Sequence, residues 1–194
     1  MAGDWLREEQ ADLAVHKILD AASAAFAEIG VPAASMADVA RFAGCSRGTL
    51  YRYFRNRHEL YVAYVDRAAR ELATRVAEGL AGIGDPRMRL IEGILRSVHE
   101  VRATPATAAW FAPGGTGIAA GMSGASDVIE ALAAAFVTRL VAGEDDPDNR
   151  LRARWLVRVI VSLLAMPGAD EHEERALVER FVAPSVLAAD TPRI

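Results

Sequence analysis

The strongest constraint on this chain is the spacing of its apolar residues, which recur every three to four positions along almost its whole length. A first stripe of this kind precedes a glycine, Gly30, that is suited to end a helix; it consists of Val15, Ile18, Leu19, Ala22, Ala25, Phe26 and Ile29. No segment shows the sustained alternation of apolar and polar residues that is typical of a strand. The sequence therefore predicts an all-α fold.

The same period predicts further helices over residues 57–80, 86–101, 125–141, 147–166 and 170–187. Residues 104–126 differ, because this stretch contains five glycines and two prolines. For it we expect a short helix over residues 106–111, followed by a mobile loop.

Two short helices joined by a tight turn are predicted within residues 36–55. Ser35 and Ser46 each precede a helix and are suited to cap it. Gly44 permits the left-handed backbone that a tight turn needs, and Ala40 is small enough for the helices to cross closely. Leu50 is expected to pack back against Val39. This arrangement is a helix-turn-helix motif.

The second of these helices has one apolar and one polar face. At 100° per residue, Leu50 and Phe54 point inward together. The outward face carries a cation, two hydroxyl groups and a bare backbone position: Gly48, Thr49, Tyr51 and Arg52. Such a face suits the major groove of DNA and its flanking phosphates.

Charge is distributed unevenly along the chain. The whole sequence of 194 residues has a formal net charge of −4, but the 24 residues from Ser35 to His58 contain five arginines and one acid, Asp38. This window is therefore +4 and the remaining 170 residues are −8. The negative total charge argues against a protein that binds nucleic acid over its whole surface. The positive window favours binding through one basic patch.

The run SMADVARFAGCSRGTLYRYFRNRHEL, residues 35–60, resembles the DNA-binding signature of TetR-family transcriptional regulators. Two positions depart from the usual pattern: Cys45 replaces an aliphatic residue, and Arg57 replaces a lysine. We expect Cys45 to pack as a small hydrophobic side chain and Arg57 to keep its charge directed at phosphate. The positions that match are Ser35, Val39, Ala40, Ala43, Gly44, Ser46, Gly48, Thr49, Leu50, Tyr51, Phe54 and Leu60.

The resemblance implies a homodimeric repressor that binds a palindromic double-stranded DNA operator and is released by a small apolar or amphipathic effector. It implies a DNA-binding domain over residues 12–60, and a long helix joining it to a helical ligand-binding and dimerisation domain over residues 61–194. Ser35 and Arg57 are expected to contact the DNA backbone. The recognition helix would present Ser46, Arg47, Gly48, Thr49, Tyr51, Arg52 and Tyr53.

The helix predicted over residues 147–166 is apolar on all sides, which indicates burial on all sides. We expect it to form a two-fold four-helix interface with the last helix, the alternative being a core within one monomer. The interface residues would be Trp155, Val159, Ile160, Leu163, Val178, Phe181 and Val182. Arg158, in the middle of this helix, would pair with an acid such as Glu174 or with a ligand carboxylate.

Polar and aromatic residues in the C-terminal part are candidates for effector contacts: His99, Arg102, Trp110, Phe111 and Phe136. The sequence does not identify the effector itself.

Motifs for catalysis, metals or cofactors are not evident. The single cysteine, Cys45, cannot form an internal disulfide, and the four histidines lack metal-ligand spacing. We expect no catalytic residues, metal or cofactor, and the alternative function is a helical enzyme or small-molecule carrier. No secretory signal is recognisable, and the longest apolar stretch, residues 155–166, is too short for a bilayer. A cytoplasmic protein without membrane contact is expected.

Overall fold

The computed structural model describes residues 4–141 and 148–187, and all regular structure in these residues is helical. The helices are α1 (Asp4–Ile29), α2 (Met36–Phe42), α3 (Arg47–Tyr53), α4 (Arg57–Gly79), α5 (Pro86–Ala103), α6 (Pro105–Ala108), α7 (Thr116–Ala125), α8 (Asp127–Leu140), α9 (Asp148–Ala165), α10 (Glu171–Leu177) and α11 (Ala183–Leu187). A π-helical turn, Val178–Val182, joins α10 to α11. The all-α prediction is confirmed.

The first hydrophobic core lies among α1 to α4. The predicted stripe of α1 supplies Ala22, Ala25 and Phe26, which are fully buried. Gly30 follows α1 with a φ of +87°, the left-handed conformation expected of a helix-ending glycine. Leu60 and Tyr61, at the start of α4, pack into the same core. The first turns of α4 are therefore part of the same N-terminal unit as α1 to α3.

Helix α4 begins at a side-chain cap, since Asn56 Oδ1 accepts a hydrogen bond from the backbone N–H of Glu59 at 2.9 Å. Its 23 residues give a rod about 35 Å long at 1.5 Å per residue. Toward its end, Leu72 packs against the second hydrophobic core. The same helix therefore belongs to both cores, as predicted for a connecting helix.

The second core is formed by α5, α8, α9 and the C-terminal helical segments. Its most deeply buried members come from three separate parts of the chain: Leu90, Ile91 and Ile94 in α5, Val137 in α8, and Val178 and Val186 near the C-terminus. Burial of these apolar side chains is the main stabilisation of the C-terminal body.

The expectation of a mobile loop after residue 111 is wrong, because residues 116–125 form α7. Ala119 is buried in the first core, and Ile118 and Met122 pack against it. Tertiary contacts therefore outweigh the poor helix propensity of the glycines. The turn before α7 uses Gly114, whose φ is +84°.

An ion pair between the exposed Arg102 and the buried Glu174 ties α5 to α10. Arg102 donates from Nη1 and Nη2 to the two carboxylate oxygens of Glu174, at 2.9 and 2.7 Å, and Nη2 also donates to the carbonyl oxygen of Leu163. Glu174 further accepts from the backbone N–H of Gly168 at 3.0 Å. The expected pairing of Arg158 with Glu174 is wrong, because Arg102 occupies that carboxylate and Arg158 lies exposed.

Among the described residues, no single helix is both long and apolar enough to cross a membrane. Helices α7 and α8 meet that test only as a pair, and they are bent by 68° relative to each other.

Glu174→Gln is expected to lower the free energy of unfolding at pH 7 by about 1–3 kcal/mol, since it weakens charged hydrogen bonds at a buried site. The bonds from Arg102 hold the pKa of Glu174 below its ordinary value of 4.5. The contribution is therefore complete above about pH 4.5 and is lost as the pH falls through the lower pKa of the folded state.

Urea unfolding at a fixed protomer concentration checks this prediction. The difference in the free energy of unfolding between wild type and Glu174→Gln should become smaller as the pH is lowered below about 4.5. The matched control is Glu171→Gln, which removes an exposed acid from the first turn of the same helix. A difference that does not depend on pH would show that the carboxylate charge is not involved.

Candidate DNA interface and ligand cavity

Helices α2 and α3 form the helix-turn-helix that the sequence predicts. Ala40 is buried where the helices cross, and Gly44 has a φ of +62° in the turn between them. Leu50 is fully buried with Val39 in the first core. Cys45 is half-buried against that core, as expected for a small hydrophobic side chain.

Serine caps fix the starts of both short helices. Ser35 Oγ accepts from the backbone N–H of Asp38 at 3.2 Å, while the Asp38 carboxylate accepts from the backbone N–H of Ser35 at 3.0 Å. The Ser35 hydroxyl also donates to that carboxylate at 2.5 Å, and this bond, together with the one from the Ser35 backbone N–H, lowers the pKa of Asp38. Ser46 Oγ accepts from the backbone N–H of Thr49 at 3.0 Å and so caps α3.

The outward face of α3 is open to solvent. Arg47, Gly48 and Arg52 are exposed, and the exposed fraction of Tyr51 is 47%. Arg52 Nη2 lies 3.4 Å from the Tyr53 hydroxyl, with the guanidinium 5.1 Å from the ring centroid. This face can therefore offer donors and an aromatic edge to a groove without disturbing the core.

The side chain of Arg57 does not point outward to DNA phosphate, as the sequence predicts, but toward the chain segment that follows α1. Its Nη2 donates to the carbonyl oxygens of Val31 and Pro32, at 2.6 and 2.8 Å, and its guanidinium lies 5.0 Å from the ring centroid of Tyr61. The carbonyl groups after α1 attract this cation inward. We therefore correct its role to a side chain that ties α4 to the turn before α2.

An aromatic cluster joins the head to the body. Trp110, which follows α6, is 4% exposed and stacks on Tyr64 with ring centroids 5.6 Å apart. It meets Tyr61 and Phe26 edge-on, at 5.0 and 5.6 Å. Burial raises the pKa of both Tyr61 and Tyr64, so both phenols stay neutral at physiological pH.

A cavity of about 340 Å³ opens beside this cluster, between α4, α5, α7, α8 and α9. Of the candidate effector contacts, Trp110, Phe111 and Phe136 line it. His99 and Arg102 do not line this cavity. His99 is exposed to solvent, and Arg102 pairs with Glu174 beside a separate pocket. Both are therefore withdrawn as contacts of this cavity.

Sequence reasoning missed three arginines that line the cavity, Arg75, Arg89 and Arg139. The signal was present for Arg139, which lies one turn after Phe136 on α8 and so shares its face. Apolar residues fill most of the remaining wall, including Leu72 and Ile160. This combination can hold an apolar molecule that carries a polar or charged group.

The predicted dimer residues separate into three groups. Val159, Leu163, Val178 and Val182 are buried in the protomer's own second core. Ile160 lines the cavity, so α9 is apolar on all sides partly because one side faces that cavity. Only Trp155 and Phe181, 45% and 69% exposed, are available to a partner. The other five are corrected to internal positions.

Large apolar residues are exposed on α9 and on the C-terminal helical segment, residues 171–187. We call them the apolar patch: Leu151, Trp155, Leu177 and Phe181. Trp155 Nε1 donates to Ser185 Oγ at 3.2 Å, which brings the two helices together at this surface. Arg158 is exposed on the same side of α9, one turn after Trp155.

Metal binding finds no support in the part of the chain that the structure describes, since it contains no group of three His, Cys, Asp or Glu side chains able to hold an ion.

Comparison with known proteins settles the family. The family model described as "Bacterial regulatory proteins, tetR family" matches residues 18–64, which span the helix-turn-helix. An "Uncharacterized HTH-type transcriptional regulator" from Mycobacterium tuberculosis (strain H37Rv) is 45% identical over 191 residues, 97% of this chain and 94% of that protein. The chain belongs to the TetR family. It is a transcriptional regulator and not an enzyme.

Two solved structures share the fold. The TetR-family repressor AlkX from Dietzia sp. strain DQ12-45-1b has a TM-score of 0.67 at 22% identity, covering 88% of this chain and 93% of its own. RolR in complex with resorcinol has a TM-score of 0.69 at 17% identity, covering 96% of this chain and 99% of its own. The TetR architecture, a helix-turn-helix head with a helical C-terminal body, is therefore confirmed.

Gly93→Ala is expected to reduce the space in the cavity. The Phe136 ring lies so close to Gly93 that a Cβ there would approach its Cζ to 2.6 Å, so the ring must move. Overpacking of this kind costs about 1–3 kcal/mol, and we expect a neutral apolar dye such as N-phenyl-1-naphthylamine to bind about 5- to 150-fold more weakly.

Fluorescence titration measures the dye affinity. Gly121→Ala is the matched control, because it makes the same change within helix α7, where a Cβ meets nothing within 4 Å. Equal dye affinities for the two variants would contradict the assigned position of Phe136.

Proposed function

We propose that the protein is a repressor that binds a palindromic operator as a homodimer and is released by a small apolar or amphipathic molecule. One observation carries this proposal: a basic helix-turn-helix and a largely apolar cavity share the Trp110 cluster within one chain. Occupation of the cavity can then affect the position of the head.

The proposed DNA contacts lie on α3 and its flanks. The net charge of +4 over residues 35–58 favours this surface over the rest of the chain, which is −8. Ser35 would contact the backbone, and the groove-facing residues would be Ser46, Arg47, Gly48, Thr49, Tyr51, Arg52 and Tyr53. Arg57 is left out of this set because the carbonyl oxygens of Val31 and Pro32 occupy its guanidinium.

The proposed dimer forms through the apolar patch. Phe181 and Leu151 are exposed by 69% and 60%, and the bond from Trp155 to Ser185 links α9 to the turn after Phe181. Exposed apolar patches mark interaction surfaces. A two-fold axis through this patch would pack α9 and the C-terminal helix against their copies as four helices. Two recognition helices about 34 Å apart, or a modest multiple of that spacing, would then meet successive major grooves.

The proposed release mechanism uses α4. Arg67 Nη1 pairs with Asp20 of α1 at 2.7 Å, and Tyr61 donates to the carbonyl oxygen of Val31 at 2.8 Å, so the head moves with the start of α4. Beyond Tyr64 the helix lines the cavity. An effector that prefers one tilt of α4 would weaken operator binding by about 1–3 kcal/mol.

We propose a division at residue 60, with residues 12–60 as the DNA-binding domain and residues 61–194 as the effector and dimerisation domain. In support, the family model matches residues 18–64. AlkX is described as implicated in the biodegradation of n-alkanes, and RolR was solved with resorcinol. Resorcinol combines an apolar ring with two hydroxyl groups, which supports a small amphipathic effector.

Arg52→Ala and Tyr51→Ala are each expected to weaken binding to an operator obtained by in vitro selection, while the dimer stays intact. A specific base contact contributes about 1–3 kcal/mol, which corresponds to about 5- to 150-fold in affinity. Fluorescence anisotropy at several salt concentrations measures this. Wild-type affinity in both variants would show that the outward face of α3 is not the contact surface.

Arg57→Gln distinguishes a structural role from a phosphate contact. Because its guanidinium bonds to backbone carbonyl groups, the substitution should lower thermal stability without changing the slope of log affinity against log salt. Arg47→Gln should reduce that slope by about one if Arg47 contacts phosphate. A reduced slope for Arg57→Gln would return Arg57 to the DNA interface.

Phe181→Asp is expected to weaken the dimer by about 30-fold or more, since truncating or charging a central apolar contact costs at least about 2 kcal/mol. Sedimentation velocity across a range of protomer concentrations measures the change. Met88→Asp is the control, because Met88 is also exposed but lies near the start of α5, outside the apolar patch. Equal dissociation constants for both variants would exclude the apolar patch as the interface.

A further inference from the structure

The cavity has two chemically different ends, and this difference indicates the class of effector. The inference rests on the proposed function, in which this cavity is the effector site. At the end near the DNA-binding head, Tyr64, Trp110 and Phe111 form an aromatic wall. The cations of the cavity wall lie elsewhere.

Helix directions place two of these cations, Arg89 and Arg139, at the opposite end. Trp110 lies just beyond the carboxyl end of α5, so α5 approaches the head with its last turns. Ser126, the N-cap of α8, donates to Asp66 near the start of α4 at 2.7 Å, so α8 runs away from the head alongside α4. The ring of Phe136, near the end of α8, packs against Gly93 of α5, so the end of α8 and the first turns of α5 lie together, away from the head.

Each of these two helix ends supplies one arginine to the cavity, Arg89 from α5 and Arg139 from α8. Arg75 of α4 also lines the cavity, but it pairs with Glu100 in the last turn of α5 and so lies nearer the head. On α8, Arg139 lies one turn after Phe136, whose ring packs against Gly93 of α5. On α5, Arg89 lies one turn before Gly93. The two arginines therefore lie at the same end of the cavity. Among the described residues that line the cavity there is no aspartate or glutamate. The far end is thus cationic.

Two of the arginines retain unused hydrogen-bonding capacity. Arg139 has no hydrogen-bond or ion-pair partner among the described residues. The Nε atom of Arg89 is buried without a partner, and its Nη1 donates only a long bond of 3.3 Å to the carbonyl oxygen of Ile83. Arg75 is paired with Glu100 at 2.8 Å. The buried, unpartnered Nε of Arg89 is unfavourable as it stands, and an anion would satisfy it; Arg139 is exposed, with its charge unpaired at the same end of the cavity.

We propose that the effector is an amphipathic monocarboxylate, bound with its carboxylate at Arg89 and Arg139 and its apolar tail directed toward Trp110. A guanidinium pairs well with a carboxylate, whereas a neutral head group leaves its charge uncompensated and a cationic head group is repelled. The tail would contact Tyr64 and Trp110, which belong to the core of the DNA-binding head. Binding at the far end is thereby transmitted to the head.

The test compares three straight-chain ligands that differ only in the head group: decanoate, decanol and decylamine, each below its micelle concentration. Isothermal titration calorimetry with the full chain at pH 7.5 gives their affinities. The variants are Arg139→Gln and Arg89→Gln. The matched control is Arg70→Gln, because Arg70 is an exposed arginine of α4 that does not line the cavity.

We expect wild type and Arg70→Gln to bind decanoate about tenfold or more tightly than decanol, and decylamine most weakly. In Arg139→Gln and Arg89→Gln this preference should fall by about tenfold, with decanol affinity nearly unchanged. Equal or tighter binding of decanol by wild type would overturn the proposal, as would absence of decanoate binding. A carboxylate preference retained in both variants would overturn the assignment to these arginines.

Operator release separates failure of this inference from failure of the proposed function. Wild-type protein bound to its selected operator should be released by decanoate and less readily by decanol. Release by decanol alone would overturn the carboxylate inference and leave a ligand-released repressor. A protein that binds no selected operator at low salt would instead overturn the proposed function, whatever decanoate does.

Discussion

The structure depends on the packing of Trp110 among Phe26, Tyr61 and Tyr64. Phe26 is fully buried in the first core, and Tyr61 and Tyr64 lie in the first turns of α4. Trp110 follows α6, the short helix after α5. Three separate parts of the chain therefore meet in one cluster of rings. Because Tyr64 and Trp110 also line the cavity, the DNA-binding head and the cavity have a wall in common. A ligand cannot change the position of these rings without affecting the support of the helix-turn-helix.

The helix-turn-helix could be predicted in detail because local chemistry determines it. The serine caps at Ser35 and Ser46, the left-handed turn at Gly44 and the inward position of Leu50 each follow from the residue type and its spacing, and the structure agrees at each of them. Arg57 is the exception. Its length and charge suit a phosphate as well as two backbone carbonyl groups, and only the path of residues 31–32, distant in sequence, decides between them.

The body was less predictable because its interior contains a cavity. The sequence predicts that the apolar surface of α9 faces a partner, but a helix that faces its own core on one side and a cavity on another has the same sequence pattern. Likewise, Arg102 is drawn to Glu174, 72 residues away, and α7 forms over a glycine-rich segment because Ala119 reaches the first core. Each of these depends on long-range contacts, for which a single sequence carries little signal.

The coupling energy between Phe26 and Trp110 tests most directly whether the head and the cavity wall are packed as one unit. It is obtained from the urea unfolding of wild type, Phe26→Leu, Trp110→Leu and the double variant at one protomer concentration. The rings meet edge-on at 5.6 Å, so we predict a coupling of about 0.5–1.5 kcal/mol beyond the sum of the single effects. Additive effects of the two substitutions would contradict the shared wall and, with it, the proposed route from the cavity to the DNA-binding head.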